Sequence, residues 1–154
     1  MKEIFHHIVR GVLIEDNKVL LVQSKGYLNT FLPGGQIELG ESAKDALGRE
    51  FEEELGITCT VGDFLGVVEH KWAHNGVIHF EVNQVFEIKE SELQKDVKPI
   101  SAESHLEFSW CNVNELSDKN LQPYPFRELI KNHLNGSKDI WWESTLKTDE
   151  SSFE

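Results

Sequence analysis

Two rhythms of apolar residues divide the chain. Runs rich in β-branched and aromatic residues occupy 7–15 (HIVRGVLIE), 18–24 (KVLLVQS), 58–71, 77–89 and 107–113, with the composition and length of strands. Asp16-Asn17 separates the first two and Asn75-Gly76 the next pair. Both dipeptides are hairpin signals, because Asn, Asp and Gly accept the left-handed backbone that tight turns need. Helical spacing takes over at 43–55, where Leu47, Phe51 and Leu55 stand at i, i+4 and i+8, and again at 125–134. Ser42 is a candidate N-cap, with Asp45 three residues on, and Gly56 is a natural stop. Residues 25–30 read as a loop, Phe31-Leu32-Pro33-Gly34-Gly35 as an extended piece ending in a tight turn, and 91–98 as a loop or helical turn. The order β-rich, helix, β-rich, helix predicts a mixed β-sheet flanked by helices, α/β or α+β in class. One domain is expected over 1–146, with a polar, flexible tail at 147–154.

Charge narrows the range of partners. The 154 residues carry 15 Lys and Arg against 27 Asp and Glu, a formal net charge of −12. Nucleic-acid polymers and anionic membrane surfaces need basic patches, so neither is an expected partner. Metal ions would have to invert the local field for an anionic small molecule to bind. The two cysteines, Cys59 and Cys111, make no framework, and the seven histidines form no zinc-binding pattern. No run reaches transmembrane length, and the start MKEIFHHIVRG has no long apolar stretch. A cytoplasmic protein is expected.

Within the first helix Glu50, Glu53 and Glu54 stand at i, i+3 and i+4, inside one arc of roughly 100°. Like charges so placed repel, and a hard cation such as Mg²⁺, which takes oxygen ligands, compensates most simply. Ala43 and Ala46 fall on the same arc and would leave room beside the acids, while Arg49 is spaced to pair with Glu53. An acidic surface helix packed through Leu47, Phe51 and Leu55 explains the same spacing without any cation.

Gly35, Glu41, Arg49, Glu50, Phe51, Glu53, Glu54, Gly56 and Ile57 match G-x5-E-x7-R-E-U-x-E-E-x-G-U, the Nudix box, with U a bulky apolar residue. Only the aromatic Phe51, at a position more often aliphatic, is unusual. On these residues, and on the Leu32-Pro33-Gly34 approach, the chain resembles the Nudix hydrolase family (MutT-like), with no subfamily assigned. The resemblance implies an α/β/α sandwich and Mg²⁺- or Mn²⁺-dependent hydrolysis of a phosphoanhydride in a nucleoside diphosphate derivative or triphosphate. It implies Glu50, Glu53, Glu54 and the carbonyl of Gly34 as metal ligands, Arg49 as the residue orienting a carboxylate, and Glu41 as support for the loop–helix junction. Family members often draw a general base from a loop outside the box. Glu103 resembles such a residue, Glu107 is weaker, Glu81 is a third possibility, and Glu53 is also a candidate.

Substrate-contacting residues are harder to pick. Arg10 and Lys25 are candidates for phosphates, and Glu81 lies on a strand face with His79 and Asn83 that would line a cleft or meet water. Phe31, Trp72, Trp110, Tyr124 and Phe126 are candidates for stacking on a base. Adjacent Trp141 and Trp142 on a strand would point opposite ways, one inward and one toward a homodimer partner. No proline lies between Pro33 and Pro99, whereas ADP-ribose pyrophosphatases often carry one a little beyond the box. That leaves a small nucleotide, unnamed. Two rivals remain: a Nudix domain that binds a nucleotide as a sensor without catalysis, and an interaction protein whose acidic helix is surface only.

Overall fold

A computed structural model describes residues 2–94 and 96–146. The tail expected at 147–154 lies outside the described residues. In chain order the elements are β1 (Lys2–Val12), β2 (Ile14–Glu15), β3 (Lys18–Ser24), β4 (Gly34–Gln36), α1 (Ala43–Leu55), β5 (Cys59–His74), β6 (Val77–Ser91), β7 (Leu106–Asn112), a 3-10 turn at Val113–Glu115, α2 (Phe126–Leu134) and β8 (Trp141–Ser144). Both hairpin signals hold. Asp16 and Asn17 adopt φ of 49° and 62°, and Asn75 and Gly76 adopt 49° and 75°, the paired left-handed residues that let a two-residue turn follow the strand twist.

The strands form a five-stranded sheet, ordered β4-β1-β6-β5-β8, and a three-stranded sheet, ordered β2-β3-β7. In the larger sheet β1 runs parallel to β6 and β8 parallel to β5, and the other pairs are antiparallel. The mixed sheet and two helices agree with the predicted class. Local pattern placed the first strand at 7–15, but β1 starts at Lys2 because Lys2–Val12 pairs residue by residue with Val77–Glu87. The partner strand, and not the local composition, extends it. The chain then changes sheets at Leu13, so Ile14 and Glu15 pair with β3 instead.

Each helix covers one side of the sheets. On α1, Ala46, Leu47 and Phe51 pack with Val9, Leu20, Val22, Phe86 and Phe108. On α2, Phe126 and Ile130 pack with Val68, Val85, Leu121 and Trp141. Trp141 is buried and Trp142 is 58% exposed, the opposed orientation expected of neighbours on a strand. Packing of α1 corrects one expectation. Ala46 is fully buried in the core and Ala43 rests against it, so these small residues fill the helix–sheet contact and leave no room for a ligand.

Candidate active site

Helix α1 is fixed at both ends. Ser42 Oγ accepts from the Asp45 N–H at 3.1 Å, and Gly56, at φ 67°, donates its N–H to the Glu52 carbonyl at 2.9 Å. Between these caps Arg49 gathers the acids. Its Nε and Nη2 donate to the two oxygens of Glu41 at 2.7 and 2.9 Å, and Nη2 also donates to the Gln36 carbonyl at 3.0 Å. Nη1 reaches Glu50 at 3.1 Å and Glu53 at 3.2 Å, the second being the i,i+4 pair expected. A planar fork meeting a carboxylate along two bonds is a contact only arginine makes. It holds the Glu41 carboxyl below its ordinary value. Glu41 also accepts from the Glu38 N–H at 3.1 Å, which secures the loop–helix junction.

The three glutamates on the shared arc have different surroundings. Glu53 is half exposed beside Arg49. Glu50 lies against Gly35, where an added Cβ would stand 2.6 Å from its Oε1, so the missing side chain is what admits the carboxylate. Burial raises the pKa of Glu50, although Arg49 opposes it. Glu54 is 8% exposed. Burial pushes its pKa up to about 8, Glu50 adds repulsion, Arg10 opposes, and Glu103 and Glu53 repel further.

Glu54 lines a cleft of about 330 Å³ together with Arg10, Gly34, Gly35, Phe31, Gln36, His6, His70, Trp72 and Glu81. Arg10 donates to the Leu32 carbonyl at 3.0 Å and stands 5.2 Å from the centre of the Phe31 ring. Glu81, 8% exposed, accepts from the Trp72 indole at 2.6 Å and from the Asn83 amide at 3.2 Å. The Trp72 ring stacks on His79 at 3.7 Å between centroids. His79 in turn is within 2.8 Å of His6.

Of the residues selected from sequence, Arg10, Gly34, Glu54 and Glu81 thus share one cleft, with Glu50 behind Gly35 and Glu53 outward. Glu103 lines a neighbouring recess with Lys25 and Lys98, yet its charge reaches Glu54, and the adjacent Ala102 N–H bonds to the Glu54 carbonyl at 2.7 Å. Phe31 and Trp72 are the stacking candidates found in the cleft. Phe126 is core, Tyr124 lines a recess beside α2, and Trp110 donates its N–H to the Val97 carbonyl. His6 and His70 were not selected. Their signal is the cross-strand register: His6, Glu81 and His70 are partners across β1, β6 and β5, and no local pattern carries that information.

A divalent cation fits this donor set. Among the described residues no three carboxylate, imidazole or thiol groups converge tightly enough to cage one. Mg²⁺ does not need such a cage, since it commonly binds through one or two carboxylates, waters and substrate phosphates. Buried Glu54, repelled by Glu50 and lining the same cleft as Gly34 and Gly35, is an arrangement that a positive charge would stabilise.

Fold and site define the class: an α+β domain that gathers helix carboxylates beside a cleft, as a hydrolase of phosphoanhydrides does. Comparison with known proteins makes this specific. Residues 5–131 match the NUDIX domain. The CTP pyrophosphohydrolase of Escherichia coli is 30% identical over 121 residues, 75% of this chain and 82% of that protein. The ADP-ribose pyrophosphatase of Methanocaldococcus jannaschii is 42% identical over 64 residues, 38% of this chain and 37% of that protein. The MutT protein from Bacillus halodurans shares the fold with a TM-score of 0.68 at 21% identity, over 90% of this chain and 88% of that one. The chain belongs to the Nudix family. It is a hydrolase acting on acid anhydrides, a nucleotide pyrophosphohydrolase whose substrates are small molecules, and the family generally requires a divalent metal.

Proposed function

We propose that this protein hydrolyses a phosphoanhydride bond in a nucleoside triphosphate or nucleoside diphosphate derivative, with Mg²⁺ or Mn²⁺ held by Glu50, Glu53, Glu54 and the Gly34 carbonyl. The observation that carries this is Glu54, buried at the cleft on the same helical arc as Glu50, which repels it. When bound, the cation supplies charge neutralisation at the phosphates and acidifies water. Arg49 orients the Glu50 and Glu53 carboxylates through its Nη1. Arg10, whose charge is felt at Glu50 and Glu54, meets a phosphate oxygen of the substrate, and Glu81 meets its other end. Glu103 is our candidate general base, supported by its influence on Glu54 and by the bond from Ala102 to the end of α1.

The protein works as one domain over 1–146, in the cytoplasm, and as a homodimer through the side of β8 that exposes Trp142. Light scattering of wild type and Trp142→Ser tests the last of these. No helix among the described residues is long and apolar enough to cross a membrane. The catalytic reading is tested by screening phosphate and pyrophosphate release over a nucleotide panel with Mg²⁺ or Mn²⁺. CTP and ADP-ribose, the substrates in the two relatives' names, belong in it. Tight nucleotide binding with no turnover across the panel would replace the enzyme with a sensor.

A further inference from the structure

Glu81 has no part in the carboxylate cluster of α1, and its surroundings are unlike that cluster's. It is 92% buried on the cleft wall, and among the described residues no Lys or Arg forms an ion pair with it. Its two hydrogen bonds come from the neutral Trp72 indole and Asn83 amide. A carboxylate has roughly four acceptor sites, so about two remain. Asn83 is itself anchored, donating to the Val68 carbonyl at 3.1 Å, and the Trp72 ring is clamped on His79.

An acceptor so held repels phosphates and seeks neutral donors. From this geometry we infer that Glu81 reads an exocyclic amino group on the base of the nucleotide, with Trp72 as the residue that positions it. The inference rests on the nucleotide-hydrolase reading. It gives the substrate a direction in the cleft, phosphates toward Arg10 and α1 and base toward Glu81. Cytosine, adenine and guanine carry the amino group, whereas uracil and hypoxanthine present a carbonyl or a hydrogen at the matching position. A site built to bond a donor rejects the analogue without it, because its buried acceptor is left unpaired.

The test is kcat/KM on pairs differing at that group, CTP against UTP and GTP against ITP, for wild type, Glu81→Gln and Trp72→Phe. The amino-bearing member of a hydrolysed pair is expected to win by about tenfold or more in wild type. Both variants should bring the ratio toward one while still turning over the poorer member. Trp72→Phe keeps an aromatic ring against His79 and removes the N–H together with part of the indole, so it decides the matter if Glu81→Gln does not fold. Wild-type ratios near one, or ratios unchanged in the variants, would overturn the inference and leave the hydrolase reading standing. No turnover of any nucleotide would overturn the hydrolase reading itself, and this inference with it.

Discussion

Glu54 and Glu81 are the same residue type, equally buried at 8% exposure in the same cleft, and they face opposite situations. Around Glu54 stand Glu50, Glu53 and Glu103, and burial with their charge pushes its pKa up to about 8. Glu81 accepts its hydrogen bonds from two neutral donors, held by a ring stack and a backbone bond. The first site gains from a cation and the second from a hydrogen-bond donor. Burial alone therefore says nothing about what a carboxylate is for; its neighbours decide it.

The sharpest way to break this contrast is to remove the charge at one end only. Glu54→Gln should lower kcat by on the order of 10²-fold or more in steady-state assays while the circular dichroism spectrum stays unchanged. A variant near wild-type activity would remove Glu54 from the reaction. Arg49→Lys keeps a positive charge but loses the fork that spans Glu41, Glu50 and Glu53. About a tenfold fall in kcat/KM is expected, since the acids lose their alignment and not their charge. An equal activity would mean that charge alone is sufficient.

Metal addition separates the two carboxylates without an assay. A ligand that binds only the folded state raises Tm by mass action, so millimolar Mg²⁺ should raise the wild-type melting temperature by several degrees. The shift should vanish in Glu54→Gln and persist in Glu81→Gln. Loss of the shift in both variants would merge the two ends into one electrostatic unit.

These regions also differ in how legible they were. Everything that identifies α1 lies within one local stretch: the Ser42 cap, the Arg49–Glu53 spacing and the Gly56 stop are set by the helical repeat, and all three hold in the structure. In the sequence Glu81 stands out only as one of three polar residues on a strand face and as a third possibility for the base. What makes it distinctive is the register that sets Trp72 against His79 and His70 against Glu81, and register is a property of two strands together. Ala46 was misread for a related reason: a helical wheel gives directions but not what lies in each, and the sheet took the side assigned to a ligand. Strand β8 was not delimited because its partner residues on β5 lie 75 positions earlier, Gly66 against Trp141, beyond any local pattern.

The smallest effect expected is in the pH dependence of stability, and it tests whether the Glu81 end is as dry as its burial suggests. His70 is the cross-strand partner of Glu81 and bonds to Thr145 Oγ1 at 2.9 Å. Burial lowers its pKa to about 4, which outweighs the opposing pull of Glu81. Between the ordinary value of 6.5 and about 4 the unfolded chain takes up a proton that the folded chain refuses. Stability should therefore fall as pH drops through that window, by about 3 kcal/mol at most. Glu54 acts with the opposite sign. Its raised pKa contributes stability that is present below 4.5 and lost as pH rises through about 8. Overlap of the two windows makes the raw profile ambiguous, so the quantity to measure is the difference between wild type and His70→Gln in urea titrations from pH 7 to pH 4. That difference should change steadily in favour of the variant as pH falls. A difference independent of pH would mean that His70 protonates freely in the folded protein, and that water reaches the Glu81 end of the cleft.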